Sequence, residues 1–490
     1  MSDDYEIIIG LEVHVQLATE TKLFCRCSTK FGASPNTQTC PVCLGMPGSL
    51  PVMNREAFRL GLKTACALNL NVPRFTKWDR KNYYYPDLPK GYQISQFDLP
   101  MSEDGYLWIS DPKEQFEAKK VGITRAHLEE DAGKSMHDEA AGKADTRIDL
   151  NRTGTPLLEI VSEPDMRSPL EAKAYLDELK LILTYLGVSD CNMQEGSLRV
   201  DANVNLHIKS DSPKKIATPI VEIKNMNSFR AVERAIAYEI TRQYDQWQET
   251  GMTIDLAPKT TRGWDDQAQV TRPQREKEDS SDYRYFPDPD LAPVITTAEE
   301  VETVQQSLCE LPMAIRERLH SGYGIPAYDA DVIVNQGIAA VKYYEALALK
   351  TGDAKMSSNW IQQDVLRLLK ERDLEFDQFP ISVERLAGLL KAIMNKEIDT
   401  TRAKDVFTQM LDSDKDAPSI MKEMGIEKVD DSELDNLVKE ILEANPKAVE
   451  DLKNGVQKAV GALIGQAKKK NPNIDPGTFR AKCMELVKDM

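Results

Sequence analysis

Long apolar runs are missing from this chain of 490 residues. A membrane-spanning helix needs roughly 18 consecutive apolar residues, and no stretch approaches that length. The first residues, Met-Ser-Asp-Asp, lead directly into an alternating strand pattern, without the basic, hydrophobic and small-residue regions of a signal peptide. We therefore expect a soluble protein of the cytoplasm, with no membrane among its partners.

Positive charge is scarce as well, with 62 Lys and Arg against 79 Asp and Glu and a formal net charge of −17. This balance argues against a protein that coats nucleic acid indiscriminately, because phosphate binding depends on clustered Lys and Arg. Local charge differs, since residues 446–490 carry nine basic and five acidic residues. This segment, with its run Lys468 to Lys470, is the better candidate for contact with phosphate, although short basic runs are often only solvated.

Cysteine is too sparse for a disulfide framework, at eight residues in the chain, and we expect the thiols to be reduced. Four of them nevertheless fall within 19 residues as C-x-C and C-x2-C pairs: Cys25, Cys27, Cys40 and Cys43. This spacing predicts a structural Zn²⁺ with all four ligand positions filled, whereas four unligated thiols in a loop are the alternative. The remaining cysteines are expected to be ordinary buried thiols: Cys66, Cys191, Cys309 and Cys483.

Several standard catalytic motifs are absent or only imitated. The tripeptide GKS at 133–135 resembles the end of a P-loop, but the glycine that the motif requires is replaced by Leu128. A glycine pattern at 322–327 matches a dinucleotide fingerprint, yet it follows a helical pattern where a strand is required. There is no G-x-S-x-G elbow, so the chain shows no nucleophile for hydrolysing glutamine.

Periodicity divides the chain into a strand-rich part and a helical part. Short runs with a period of two extend from Tyr5 to about Leu291, and the proline-rich stretch YFPDPDLAP ends them. Beyond it the periodicity is three to four residues, with a solvated break at DSDKD, residues 412–416. We predict an α+β domain with a largely antiparallel sheet over residues 1–293, an all-α domain over 294–410 and a helical tail over 411–490.

Polar residues of an unusual kind share one face of several predicted strands. Apolar residues alternate with Glu12 and His14 in YEIIIGLEVHVQL, and with Arg199, Asp201 and Asn203 in RVDANVNLHI. Two further strands add Arg125, His127, Glu129, Glu222 and Lys224.

Such faces favour a site for Mg²⁺ and phosphate, because short carboxylates, amides and forked cations hold metals and phosphates. The candidate Mg²⁺ ligands are Glu12, His14, Glu129, Glu130 and Asp201. His14 is either a ligand or a satisfied neighbour, and Arg199 and Lys224 are available to neutralise a transferred phosphoryl group. For each strand alone, a sheet with one solvated face is the alternative interpretation.

Eight long blocks of sequence carry a family resemblance and follow one order from end to end. They read IGLEVHVQL, CPVCLGMPGSLPV, KNYYYPDLPKGYQISQ, HLEEDAGKS, DLNRTGTPLLEIVSEPD, GSLRVDANVN, EIKNMNSFR and DYRYFPDPDL. In these blocks the chain resembles the B subunits of the aspartyl-tRNA(Asn)/glutamyl-tRNA(Gln) amidotransferases.

The resemblance implies a fold, a reaction and partners. The fold would be a cradle-shaped α+β domain, a helical domain and a helical tail similar to the YqeY family, which binds the tRNA body. ATP would phosphorylate the side-chain carboxylate of glutamate or aspartate esterified to tRNA, and ammonia would displace the phosphate. The partners would be a glutaminase (amidase) A subunit, a small C subunit and the misacylated tRNA.

The resemblance also implies roles for single residues. The expected catalytic residues are Lys81, Glu130, Glu159, Arg199 and Lys224. Around Mg²⁺ the motifs favour Glu12, His14 and Glu130. Arg199, Asn203 and Asn151 are expected to bind ATP, and Arg152 is a candidate neighbour of the site. Asn151, Arg152 and Asn203 could instead hold tight turns. The tyrosines at 83–85, with Lys81 and Lys90, could stack the terminal adenosine of tRNA or pack within the protein.

Two other classes of function remain open at this point. A zinc-stabilised scaffold could bind tRNA without catalysis, but it would gain nothing from carboxylates on facing strands. A free-standing ATP-dependent ligase could amidate small molecules, but the tRNA-type tail and the missing glutaminase argue against it.

Overall fold

Alternation of apolar and polar residues builds the centre of the N-terminal sheet. In the strand Tyr5–Gln16, Leu11 and Val13 are buried, whereas Glu12 and His14 are partly exposed. A period of two puts the apolar side chains on one face and the polar side chains on the other, as the sequence predicts. The computed structural model describes residues 4–137, 146–209, 216–274, 283–426, 431–453, 459–471, 473–474 and 476–489.

The strands of the described ranges all lie before residue 296. They are β1 (Tyr5–Gln16), β2 (Phe75–Thr76), β3 (Asp79–Asn82), β4 (Tyr92–Ser95), β5 (Ser102–Ile109), β6 (Lys119–Glu130), β7 (Lys134–His137), β8 (Thr146–Asp149), β9 (Pro156–Ser162), β10 (Leu198–Ile208), β11 (Ile216–Ala217), β12 (Val221–Lys224), β13 (Thr260–Asp265), β14 (Val270–Pro273), β15 (Phe286–Pro287) and β16 (Val294–Ile295).

The helices of the described ranges follow mostly after the strands. They are α1 (Arg55–Ala67), α2 (Pro169–Tyr185), α3 (Phe229–Thr250), α4 (Ala298–Gln306), α5 (Pro312–Tyr323), α6 (Ala327–Val334), α7 (Ile338–Thr351), α8 (Ala354–Trp360), α9 (Leu366–Arg372), α10 (Val383–Met394), α11 (Thr400–Leu411), α12 (Ala417–Glu423), α13 (Asp431–Ala444), α14 (Pro446–Lys453), α15 (Ala459–Lys470) and α16 (Pro476–Asp489). A π-helical turn, Ile361–Val365, joins α8 to α9, and a 3₁₀ turn spans Phe376–Gln378.

One large sheet dominates the N-terminal part, in the order β14-β13-β12-β10-β1-β9-β6-β5, with β11 paired to β10. Its neighbouring strands are antiparallel except β12 and β13, which run parallel. Parallel neighbours need a crossover connection, and α3 supplies it. Smaller sheets join β15, β3 and β4, then β16 and β2, then β7 and β8.

Two long helices cover the apolar face of the large sheet. Helices α2 and α3 pack on each other, and α3 also packs on β10. Tyr175 and Ile236 are fully buried there, in one core with the apolar residues of β1. Both helices begin with a serine cap: Ser168 accepts a hydrogen bond from the backbone of Glu171 and Ser228 one from Ala231, each at 3.1 Å. The opposite face, which carries the polar residues, is left uncovered by these helices.

The chain divides into two units, Met1–Ala314 and Ile315–Met490. All regular secondary structure among the described residues of the second unit is helical, and its end has a core of its own with buried Val438, Leu463 and Phe479. The predicted fold class, an α+β part followed by helices, is therefore confirmed. The finer domain boundaries at 293 and 410 stay predictions. Among the helices of the described ranges, none combines the length and apolar character that a membrane crossing requires.

Replacing the buried leucine in β1 should destabilise the N-terminal unit. Leu11 is 1% exposed, and Leu11→Ala should lower the free energy of unfolding by about 2–5 kcal/mol because a cavity is left between the sheet and its helices. Leu50 is 64% exposed, so Leu50→Ala should change it by less than about 0.5 kcal/mol. Urea unfolding followed by tryptophan fluorescence measures both variants, and equal effects would contradict the assigned core.

Candidate active site

Strand register lines up a row of charged side chains across the large sheet. His14 on β1 lies opposite Arg199 on β10 and, on its other side, opposite Glu159 on β9. Glu159 in turn lies opposite His127 on β6. Because directly opposite residues point to the same face, these four side chains form one line on the polar face.

A second row runs beside the first, two residues along each strand. Glu12 lies opposite Asp201, and the Nδ2 of Asn203 donates a hydrogen bond of 2.9 Å to Glu12. Lys224 on β12 forms an ion pair with Asp201 and lies 3.5 Å from a carboxylate oxygen of Glu222. Two neighbouring carboxylates and then a cation thus follow one another along this row.

Two groups of side chains on this face could hold a metal ion. The first consists of His14, Glu129 and Glu159, whose nearest ligand atoms all lie within 4.8 Å of one another. The Nε2 of His14 is 3.4 Å from Glu159 and 3.7 Å from Glu129. The second group consists of Glu12, Asp201 and Glu222. Both are rich in carboxylate oxygen, the donor type that Mg²⁺ prefers, so the donor sets fit that ion.

Neighbouring charges separate the proton affinities of the two buried carboxyl groups in the first cluster. Burial and the neighbouring charge of Glu159 raise the pKa of Glu129 to about 7. Burial also acts to raise the pKa of Glu159, but His127 and His14 outweigh it, and the pKa falls below its usual range. Glu159 is therefore ionised at neutral pH, whereas Glu129 exchanges its proton there.

His14 of the cluster and the neighbouring His127 also differ in proton affinity. Burial lowers the pKa of His127 to about 4, so its ring is neutral at physiological pH. Burial acts in the same direction on His14, but its hydrogen bond to Glu159 prevails and the pKa of His14 is raised. His14 therefore holds a proton more tightly than His127 does.

Cations line the cleft beside these carboxylates. The cleft measures about 430 Å³, and Lys81, Arg199 and Lys224 contribute to its wall. Arg199 donates a 2.8 Å hydrogen bond to Asp131, and the ammonium of Lys81 lies 4.9 Å from the ring centre of Tyr283. A neighbouring cavity of about 600 Å³ shares Arg199 with the cleft, so this side chain borders both spaces.

Glu130 is not brought to the cleft, although its motif predicts a Mg²⁺ ligand and a catalytic residue. Successive side chains of a strand point to opposite faces, so Glu129 and Glu130 cannot share one. Glu130 forms an ion pair with Lys90 and accepts a 3.1 Å hydrogen bond from the backbone of Ile94. It is 3% exposed and holds the segment around Lys90 against β6.

Asn151 lies beside the larger cavity, where it also holds the cysteine loop. It accepts a 2.8 Å hydrogen bond from the backbone of Gln38 and donates one of 2.7 Å to Ser34. The remaining predicted residues come together on the polar face or its rim: Glu12, His14, Lys81, Glu129, Glu159, Arg199, Asp201, Asn203 and Lys224.

Asp131 is not among the site residues predicted from the sequence, yet it organises the wall of the cleft. It is 2% exposed, and its carboxylate accepts hydrogen bonds from Arg199 and, at 2.7 Å, from Gln16. The nearby cations hold the pKa of Asp131 below its usual range despite burial. Its position in the acidic run HLEED was the available signal, but its partners are distant in sequence.

The four clustered cysteines converge as their spacing predicts. Their sulfur atoms all lie within 4.8 Å of one another, so the group could hold a metal ion. A hydrogen bond with Cys25 lowers the pKa of Cys43 to about 4, whereas burial raises the pKa of Cys27 to about 11. Of the lone cysteines, Cys191 and Cys483 are buried, but Cys66 is only partly buried and Cys309 is exposed, contrary to expectation.

Comparison with known proteins finds relatives that match nearly the whole chain. Residues 7–302 match the family model described as the GatB/GatE catalytic domain, and residues 342–485 match the one described as the GatB domain. The B subunit of an aspartyl/glutamyl-tRNA(Asn/Gln) amidotransferase from Rhodopirellula baltica is 62% identical over 99% of this chain and 97% of its own length. The relative of the same name from Moorella thermoacetica is 50% identical over 95% of this chain and 96% of its own length.

These matches confirm the resemblance seen in the sequence motifs and agree with the fold. The catalytic-domain match covers the large sheet with its rows of charged residues, and the second match lies in the helical part. The chain belongs to the family of aspartyl/glutamyl-tRNA(Asn/Gln) amidotransferase B subunits, which take part in the amidation of misacylated tRNA.

Proposed function

We propose that this chain uses ATP to phosphorylate the side-chain carboxylate of glutamate or aspartate carried by misacylated tRNA. The observation that supports this most strongly is the row that sets Arg199, His14 and Glu159 side by side at the edge of the cleft. Phosphoryl transfer depends on positioning and on neutralising charge, not on a covalent group from the protein. Cations beside carboxylates meet that requirement.

Activation is needed because a carboxylate has no leaving group that ammonia can displace. Transfer of the γ-phosphoryl group to a carboxylate oxygen breaks its bond to ADP and yields an acyl phosphate. Ammonia then attacks the carbonyl carbon, the bond to the phosphate oxygen breaks, and the amide forms as inorganic phosphate leaves with the released proton. No described residue needs to be covalently modified in either step.

Lys81 is the cation best prepared to receive phosphate oxygens. Its ammonium lies among aromatic rings and forms no hydrogen bond with any residue that the structure describes, so its donors are available. The carboxylates of Glu129 and Glu159 raise the pKa of Lys81 despite burial, so it stays charged. Arg199 and Lys224 flank the cleft from β10 and β12, each held by an aspartate.

Metals complete the proposed function. Mg²⁺ held by His14 and by the carboxylates of the two clusters described above would neutralise phosphate oxygens during transfer. Zn²⁺ held by the four cysteines would fix the loop that borders the larger cavity, because Gln38 and Phe31 of that loop line it. We infer that ATP occupies the larger cavity and the cleft beside it, with Asn151, Asn203 and Arg199 at its border.

The proposed partners are an amidase subunit that supplies ammonia from glutamine, a small third subunit and the misacylated tRNA, in the cytoplasm.

The basic run of the tail, Lys468 to Lys470, contributes less to tRNA binding than its sequence suggests. Lys468 pairs with Asp399 and Lys470 with Glu440, so two of the three ammonium groups already have carboxylate partners. We therefore assign tRNA binding to the tail as a whole rather than to this run.

ATP turnover should depend on both misacylated tRNA and Glu159. With the amidase partner, Mg²⁺ and glutamyl- or aspartyl-tRNA, the chain should hydrolyse ATP, and Glu159→Gln should lower the rate by about 10²–10³-fold, the scale for losing one preorganised charge. Glu103 is exposed, and Glu103→Gln is the matched control with full activity. Tight tRNA binding without any ATP turnover would instead favour the non-catalytic scaffold.

Mg²⁺ affinity should fall as the pH is lowered through 7. The pKa of Glu129 is about 7, so below it a proton occupies the carboxylate and must leave before the metal binds. Calorimetric titration from about pH 8 to about pH 6 should show affinity falling by up to about tenfold per unit. Glu129→Gln should bind more weakly with a shallower pH slope, and a pH-independent wild type would contradict this assignment.

The cysteine cluster should bind about one Zn²⁺ per chain. Metal analysis of the purified chain measures this, and Cys40→Ser combined with Cys43→Ser should abolish binding and reduce solubility, because a closed structural site contributes to folding. Cys309→Ser, at an exposed cysteine outside the cluster, is the control that should keep the metal. A stable, metal-free wild-type chain would disprove the site.

A further inference from the structure

Lys22 is a lysine with no exposure to solvent, at 0%. Lysine is almost never fully buried unless its charge is paired, because removing an ammonium group from water is costly. Its backbone is fixed in the cysteine loop, since the amide of Lys22 donates a 3.0 Å hydrogen bond to the carbonyl of Cys27. The side chain of Lys22 therefore points into the protein, where its ammonium group needs partners.

The partners of this ammonium are a carbonyl and a sulfur atom. The Nζ of Lys22 donates to the carbonyl oxygen of Gln38 at 2.8 Å and to the Sγ of Cys43 at 3.7 Å. Among the described residues, no carboxylate oxygen lies within 4.0 Å of this nitrogen. The buried carboxylate of Glu130 is already paired with Lys90. The carbonyl satisfies one donor but does not balance the charge.

The balancing charge can come from the cysteine cluster. Four neutral thiols would leave Lys22 as an isolated buried cation, which is strongly unfavourable, whereas a thiolate at Cys43 would balance it. A divalent ion with four thiolates instead carries two excess negative charges, and a cation against one sulfur offsets part of them. Cys43 is the right ligand for this, because it is the buried member of the cluster and also accepts a 3.2 Å hydrogen bond from the backbone of Cys40.

We propose that Lys22 acts on the metal through Cys43, as a buried cation that compensates the charge of a tetrathiolate site and thereby sets its affinity for a divalent, thiol-binding metal. This rests on the metal site of the proposed function and assigns that site a fifth residue. Lys22 contacts no substrate and is a positioning residue. Its charge, not only its volume, is what the site uses.

Lys22→Met keeps most of the side-chain volume and removes the charge. In the full-length chain, Zn²⁺ affinity, measured by competition with a chromophoric chelator, should fall at least about tenfold, the scale for residues that support a metal ligand. Lys63→Met is the matched control, since Lys63 is a partly buried lysine whose ammonium donates a 3.1 Å hydrogen bond to the backbone carbonyl of Leu186. It should leave Zn²⁺ affinity unchanged.

Charge compensation is separated from packing by changing the charge of the cluster itself. Cys27→His replaces a thiolate with a neutral imidazole, so the cluster carries one negative charge fewer and depends less on a cation. The affinity lost through Lys22→Met should therefore be smaller in the Cys27→His background than in the wild type. An equal loss in both backgrounds would show that Lys22 only fills space, and would overturn the proposal.

Further outcomes of the Zn²⁺-binding experiments also test the proposal. A wild-type chain that binds no Zn²⁺ would overturn the metal site and this inference together, whereas binding that Lys22→Met leaves intact would overturn the inference alone. If Lys22→Met does not fold, recovery of soluble, zinc-loaded protein in the double variant with Cys27→His would support charge compensation. A double variant that is no more soluble would refute it.

Discussion

The register of four antiparallel strands is the constraint on which the candidate site depends. Pairing of β10, β1, β9 and β6 puts Arg199, His14, Glu159 and His127 in one line. A slip of one residue in β1 would turn His14 toward the core and an apolar side chain toward the cleft. The apolar residues of β1 prevent that slip, since their burial against α2 and α3 requires the observed face. Core packing and site geometry are therefore fixed by the same residues.

Burial of the row then gives each charged group a distinct role. Glu129 and Glu159 lie near each other, and their pKa values move apart because two neighbouring buried carboxylates do not both ionise freely. Asp131 accepts a hydrogen bond from Arg199, so the guanidinium is both charged and held in position. The cost of burying these groups is offset by their mutual pairing, which holds the donors in place before any substrate binds.

Much of this arrangement follows from short-range patterns in the sequence. The alternation in β1 and β10 predicts which residues share a face, and the paired cysteine spacings predict their convergence. The role of Glu130 was beyond such patterns, because its partner Lys90 is 40 residues away and only the fold brings them together. The same holds for Asp131 with Arg199, 68 residues apart. Alternation along β6 separates Glu129 from Glu130, but it does not show which distant residues pair with each carboxylate.

The central pairing of the sheet also has a consequence for synthesis on the ribosome. Strand β1 ends at residue 16, but its neighbour β10 begins only at residue 198 and β9 at residue 156. At roughly 5–20 residues per second, translation leaves the apolar segment of β1 without either neighbour for about 7 to about 28 seconds. During this interval it is an unpaired, aggregation-prone strand. The emerging chain therefore exposes this apolar segment for longer than a protein built from local contacts would.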